Sequence, residues 1–288
     1  MAKLLKGAPV ANAITDDLKR RSDELIHRSI APRLAILRVG NREDDLSYER
    51  GAMKRCEKAG IAVTKFILPE ECSGAQLSDT IQTINQDPSI HGCLMFRPLP
   101  DRELEERACM MLDPAKDVDC MTSRSLATVF SGKGPGFAPC TAQACMELLD
   151  YYGIDLTGRN VAVIGRSLVI GKPVSMMLQA RNATVTMCHT RTAGLASVCR
   201  NAEILVAAAG KAGLVTSEFV RKEQIVIDVG INVNEEGKLC GDVDFDEVEP
   251  IVSAITPVPA GVGSVTTAVL AKHVIEAAER VFHRRAFQ

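Results

Sequence analysis

Tyr48 stands near the start of SYERGAMKRCEKAGI (residues 47–61), a stretch whose pattern predicts a helix ending at Gly60. A tyrosine hydroxyl can give or take a proton. One turn on, at i+4, stands Ala52, which carries no polar side-chain atom. Any charge beside Tyr48 must come from another residue. Lys54 lies about 200° round the helix from Ala52 and faces away. Arg55 follows Tyr48 by seven residues and lies nearly on its face. Helical side chains lean toward the N-terminus, so Arg55 can reach over Ala52. An arginine there otherwise reads as a solvated surface residue.

A second candidate lies in VAVIGRSLVIGKPVSMML (residues 161–178). A strand runs into Gly165, a polar turn follows, and a helix begins near Gly171-Lys172-Pro173. Gly165 permits a tight turn, Gly171 lets backbone approach a ligand, and Pro173 suits a first helical turn. The N–H groups of that helix start can receive an anion. The spacing is GxSxxxGxP rather than GxGxxG, and an ordinary strand–helix turn is the plain alternative. The next strand ends in Cys188-His189-Thr190-Arg191-Thr192 with no acid. An acid at that place binds the ribose 2′-hydroxyl of NAD, whereas a basic or hydroxyl group takes the 2′-phosphate of NADP. Thr190 and Arg191, with Arg166 from the first turn, can cradle such a phosphate, so NADP is favoured over NAD. His189 reads as a polar strand-end residue rather than a catalyst.

These residues need a scaffold, and the hydropathy pattern supplies one. Strands are expected at 33–40, 62–68, 91–96, 161–165, 183–189, 203–210 and 225–232. Helical patterns fall at 8–28, 44–59, 74–87, 101–112, 141–152, 171–181, 216–222 and 265–285. Several strands are apolar at nearly every position, as strands covered on both faces are. Alternating strands and helices give an α/β fold with parallel sheets. A boundary is expected near residues 135–142, beside KGPGFAPC. Two α/β domains with a cleft between them then follow.

The 288 residues suffice for one large or two ordinary domains, and the net charge of −2 gives no pull toward nucleic acid or an acidic membrane. No apolar run reaches membrane-span length, and MAKLLKGAPVANAITDDL lacks the long apolar core of a signal peptide. None of the ten cysteines forms a CxxC pair. They read as small hydrophobes in a reducing, cytoplasmic compartment, and no metal site is expected.

GRSLVIGKP, ATVTMCHTRT, IVIDVGIN, GDVDF and AITPVPAGVGSVTTAVL occur in this order, after LAILRVGNREDDLSY, GCLMFRPLP, DPAKDVD and FAPCTAQACMELL. Together they resemble the methylenetetrahydrofolate dehydrogenase/cyclohydrolase family over nearly the whole chain. The resemblance implies a folate-binding domain at 1–139, joined by a returning C-terminal helix at 266–288, and a Rossmann-type NAD(P)-binding domain at 140–265. It implies hydride transfer from 5,10-methylenetetrahydrofolate to NADP, then hydrolysis of the methenyl cation to 10-formyltetrahydrofolate, usually in a homodimer. It places Gly165, Arg166, Ser167, Thr190 and Ile231 at NADP. Tyr48 and Asp119 fall in the folate cleft, Phe96 on the pterin wall, and Pro257, Gly261 and Gly263 in a loop near both ligands. Asp119 suits the amino and ring N–H groups of a pterin, and its alternative is a loop acid capping a helix.

The chain also departs from the family pattern. Ala52 stands at the usual Lys, Phe96 at the usual Gln, with Arg97 next. Cys120 and Ala260 replace glycines, and Ser264-Val265 replaces a Pro-Met pair. The lost Lys and Gln are the groups that handle proton and water in the hydrolytic step. The expectation is therefore a dehydrogenase with weak or absent cyclohydrolase activity. Three alternatives stay open: a fully bifunctional enzyme with Arg55 or Arg97 compensating, an oxidoreductase on another substrate, and a catalytically silent folate- or NADP-binding subunit.

Overall fold

A computed structural model describes residues 1–286. Along its first half run β1 (Lys3–Leu4), α1 (Gly7–His27), β2 (Arg33–Val39), α2 (Glu43–Ala59), β3 (Ala62–Leu68), α3 (Gly74–Gln86), β4 (Gly92–Met95), α4 (Arg102–Met111), α5 (Ser123–Ser131) and α6 (Cys140–Tyr151). The second half carries β5 (Asn160–Ile164), α7 (Gly171–Ala180), β6 (Thr184–Cys188), α8 (Leu195–Asn201), β7 (Ile204–Ala207), β8 (Ile225–Asp228), β9 (Asn232–Val233), β10 (Leu239–Cys240), α9 (Phe245–Val248), β11 (Ala254–Ile255) and α10 (Thr266–Ala286). The chain forms two compact units. The first comprises Asn12–Cys140 with the C-terminal helix from Thr267, and the second comprises Met1–Ala11 with Thr141–Thr266.

The first unit is built on a parallel sheet of order β3-β2-β4. The central strand, RLAILRV, has six of its seven residues buried, which explains its almost unbroken apolar run. Ala35, Leu37 and Val39 share one face and pack with Leu77, Ile81 and Ile84 of α3 and Ala108 of α4. Each large side chain so buried contributes roughly 1.5–3 kcal/mol. Helix α3 starts at a capping box in which Ser73 and Gln76 bond reciprocally. Helix α10 packs on this unit: His273 donates from Nδ1 to Val118 O at 2.8 Å.

The second unit is a six-stranded parallel sheet of order β1-β11-β8-β7-β5-β6. From β5 the chain goes to β6 on one side and then returns to β7 on the other. That reversal is the switch point at which such sheets bind ligands. The sequence reading kept residues 1–11 with the first half. They join the second unit instead, because β1 pairs in parallel with β11, Lys3 opposite Ala254 and Leu4 opposite Ile255. The helix expected at 216–222 shrinks to a single 3-10 turn, Ser217–Phe219. Its flanking Val215 and Val220 reach the core from extended chain, Val215 bridging to Val243. No helix among the described residues is long and apolar enough to cross a membrane.

Candidate active site

The turn after β5 is built by close backbone approach. Gly165 has φ 123°, and a Cβ there would lie 2.1 Å from Ala208 O. At Gly171 a Cβ would lie 2.2 Å from Gly165 O, so the two glycines require each other. Ser167 Oγ accepts from Ile170 N at 3.1 Å, and Lys172 N donates to Ser167 O at 3.0 Å, which closes the turn into α7. Arg166 and Ser167 are exposed on it. The neighbouring turn after β6 is set by register, because Ile164 pairs with Cys188 and Gly165 N donates to Cys188 O. There His189 N donates to Thr192 Oγ1 at 2.9 Å, and His189 Nδ1 accepts from Arg191 N at 3.1 Å. His189 is thus part of the turn's frame, and Thr190 and Arg191 are left exposed at its tip. Arg166, Thr190 and Arg191 stand at the carboxyl ends of adjacent strands. This donor set suits a phosphate, and no acid stands among these strand-end residues.

Two buried carboxylates hold the remaining loops, a role that residue types alone did not disclose. Asp228 accepts from Gly230 N, Asp242 N and Val243 N, at 2.9, 3.0 and 3.0 Å. Asp242 accepts from Ala209 N, Gly210 N, Lys211 N and Asn232 Nδ2, at 2.6 to 2.9 Å. The motifs IVIDVGIN and GDVDF are therefore one structure, in which each acid satisfies backbone N–H groups of several loops. Burial pushes the Asp228 carboxyl up, the three N–H bonds oppose it, Asp242 adds repulsion, and the value reaches about 6. Beside Asp228 lies a cavity of about 210 Å³, lined by Ile231, Pro257, Gly261 and Gly263 among others. Four of the residues expected at the ligands thus meet at one opening. Ala260, in the same loop, has φ 84°.

In the first unit, α2 ends as expected, with Gly60 at φ 72° and its N–H on Cys56 O and Glu57 O. Ala52 is fully buried on its core face. Tyr48 is half-buried and meets Phe96 edge-on, ring centroids 6.0 Å apart. Lys54 is exposed. Arg55 donates to Thr15 Oγ1 of α1 at 2.7 Å, and burial holds its guanidinium below the ordinary value. Arg97 lies 3.9 Å from Glu105. Asp119 accepts from Cys140 N at 2.9 Å, at the start of α6, so it caps backbone as well as facing its surroundings. Burial raises the Asp119 carboxyl, opposed by the Cys140 bonds and by the charge of Arg97. Cys120 takes φ 57°, so both residues standing where glycine was expected keep a left-handed backbone.

The doubly wound sheet and its glycine turn define an α/β dinucleotide-binding protein with a second α/β unit. The chain belongs to the tetrahydrofolate dehydrogenase/cyclohydrolase family. It matches that family's catalytic domain over residues 5–119 and its NAD(P)-binding domain over residues 139–282. A relative named bifunctional protein FolD from Clostridioides difficile is 50% identical over 275 residues, covering 96% of each chain. The crystal structure of the bifunctional enzyme FolD, methylenetetrahydrofolate dehydrogenase/cyclohydrolase, from Campylobacter jejuni superposes with a TM-score of 0.93 at 37% identity, covering 97% of this chain and 99% of that one. The Trypanosoma brucei enzyme, solved with NADP cofactor and inhibitor, gives a TM-score of 0.91 at 32% identity over 98% of each chain.

Proposed function

We propose that this protein oxidises 5,10-methylenetetrahydrofolate to the 5,10-methenyl cation with NADP, and that its hydrolysis of that cation is weak or lost. Family membership and the similarity to an NADP-bound relative support the first part. NADP, when bound, accepts the hydride. Arg166, Thr190 and Arg191 would hold its 2′-phosphate, Ser167 and the α7 start its pyrophosphate, and Ile231 its inner half, with the loop of Pro257, Gly261 and Gly263 near both NADP and the folate. Tyr48, Phe96 and Asp119 would hold the folate, Asp119 accepting from the pterin N–H groups. Hydride loss from the methylene carbon leaves an N–C–N cation and releases no proton. Alignment therefore suffices for this step, with no acid or base.

Hydrolysis is different: water must lose a proton as it adds to the cation, and ring opening must return one to nitrogen. The observation that carries the second part is the buried Ala52 one helical turn after Tyr48, whose ring meets Phe96. Neither the alanine methyl nor the phenylalanine ring can accept or give a proton. Arg55 is engaged with Thr15 and stays protonated, so it makes a poor acid or base. Retained hydrolysis is the second reading, because relatives such as the C. difficile protein bear the name bifunctional. On that reading Arg97, whose charge acts on Asp119, would stabilise an anion while another group moves the proton, since its guanidinium too stays protonated.

A spectral time course with methylenetetrahydrofolate and NADP tests the proposal. NADPH and the methenyl chromophore should rise together, the chromophore then decaying at the enzyme-free rate. Accelerated decay would support the second reading, and no NADPH would refute both.

A further inference from the structure

Arg38, Glu49 and Lys65 bring three charges to the start of α2, two of them deeply buried: the Arg38 and Glu49 side chains are 4% and 6% exposed. Glu49 Oε2 accepts from Arg38 Nε at 2.9 Å, and Glu49 Oε1 accepts from Lys65 Nζ at 2.9 Å. Arg38 Nη1 also donates to Asn41 Oδ1 at 2.6 Å and to Gly40 O. One carboxylate thus ties α2 to β2 and β3, and the same guanidinium holds the turn that enters the helix. Burial pushes the Glu49 carboxyl up, but the Lys65 and Arg38 bonds outweigh it and hold it below the ordinary value.

Stability gives no reason for this arrangement. A buried ion pair is often matched or bettered by apolar side chains of the same volume. Orientation does give one. Glu49 directly follows Tyr48, and helix α2 has no side-chain cap at Arg42 to fix its start. The opposite wall is fixed too, because Arg42 Nη1 donates to Pro98 O at 3.0 Å, two residues past the Phe96 that meets the Tyr48 ring. Sliding or rotating the first turns of α2 breaks at least one bond of the network.

We infer that Arg38, Glu49 and Lys65 are positioning residues that set the Tyr48 hydroxyl for the folate. This rests on the reading of Tyr48 as a folate-binding residue.

The test is a double-mutant cycle between Tyr48→Phe and an apolar replacement of the network, Arg38→Leu/Glu49→Leu/Lys65→Met. The apolar variant should fold, lose about tenfold in kcat/KM for methylenetetrahydrofolate and keep its KM for NADP within about twofold. In the Tyr48→Phe background the same replacement should cost less than about twofold, because the group it positions is gone. Equal losses in both backgrounds, or no loss with Tyr48 present, overturn the inference while leaving the folate reading of Tyr48 intact. If Tyr48→Phe alone changes nothing, that reading of Tyr48 fails and the inference falls with it. Should the apolar variant not fold, Lys65→Met carries the same cycle. Its side chain is half-exposed, and a two- to threefold effect confined to the Tyr48 background is expected.

Discussion

At the scale of single residues, two non-glycine residues, Ala260 and Cys120, hold left-handed backbone. Ala260 keeps φ 84° although it carries a Cβ, and its side chain is exposed. Ala260→Gly should relieve about 1–2 kcal/mol of left-handed strain against about 0.4–1 kcal/mol of added unfolded-state entropy. A net gain of about 0.5–1 kcal/mol in chemical denaturation is expected. Cys120, at φ 57°, is buried, so the same change there would forfeit packing and is not expected to gain. Asp119 yields a pH prediction. Its carboxyl is raised by burial and lowered by the Cys140 bonds and by Arg97, and in the proposed folate contact the ionised form offers the stronger acceptor, on both oxygens. KM for the folate should therefore rise on acidification sooner than for a carboxylate at the ordinary 3.8. Arg97→Leu should move that limb to still higher pH, visible in the pH profile of kcat/KM. Gly165 and Thr190 could be proposed from their motifs, where a tight turn and a phosphate give physical reasons, whereas Ile231 rested on the family resemblance alone. Asp228 and Asp242 were not legible, since an acid that caps backbone looks like any loop acid until its donors are folded around it.

At the scale of elements, charge in the wrong place made the sequence misleading. Arg38 interrupts an apolar strand, and nothing local says that it pairs with Glu49 eleven residues on and Lys65 on the next strand. Glu49→Gln leaves the Arg38 guanidinium buried without its counter-charge, and should cost about 3–5 kcal/mol. Lys65→Met, half-exposed, should cost less than about 1 kcal/mol. Paired urea titrations of the two variants check both values. The Asp228 carboxyl sets a second slope. Its folded value near 6 lies above its ordinary 3.8, so between these the folded state holds a proton that the unfolded state has released. Stability contributed by this group therefore falls as pH rises through that window, by up to about 3 kcal/mol, with the full cost present above pH 6. Asp228→Asn should remove that slope from the stability–pH curve, while lowering stability overall because an amide offers one acceptor oxygen to three N–H donors.

At the scale of the whole chain, long apolar runs announced β2, β5, β7 and β8, and the alternation of strand and helix announced two parallel-sheet units. Short elements escaped. The two-residue strands β1 and β11 carry no readable period and exist only as partners of each other and of β8. Helix α5 is nine residues long and is fixed by Thr122, whose hydroxyl accepts from Ser125 N, rather than by a long apolar stripe. Residues 1–5 are therefore expected to stabilise the second unit. Deleting them removes the bonds from Lys3 N to Ser253 O and from Leu5 N to Ile255 O, together with the buried Leu5. A loss of about 2–5 kcal/mol is expected, read as a lower melting temperature with and without NADP. The proposed loss of hydrolysis can be tested without the dehydrogenase step. The most direct measurement supplies methenyltetrahydrofolate with no NADP and follows loss of its chromophore against an enzyme-free control. Equal rates, from a preparation that reduces NADP with methylenetetrahydrofolate, are the predicted result. Hydrolysis well above the control would contradict the account and show that a group other than residue 52 handles the proton.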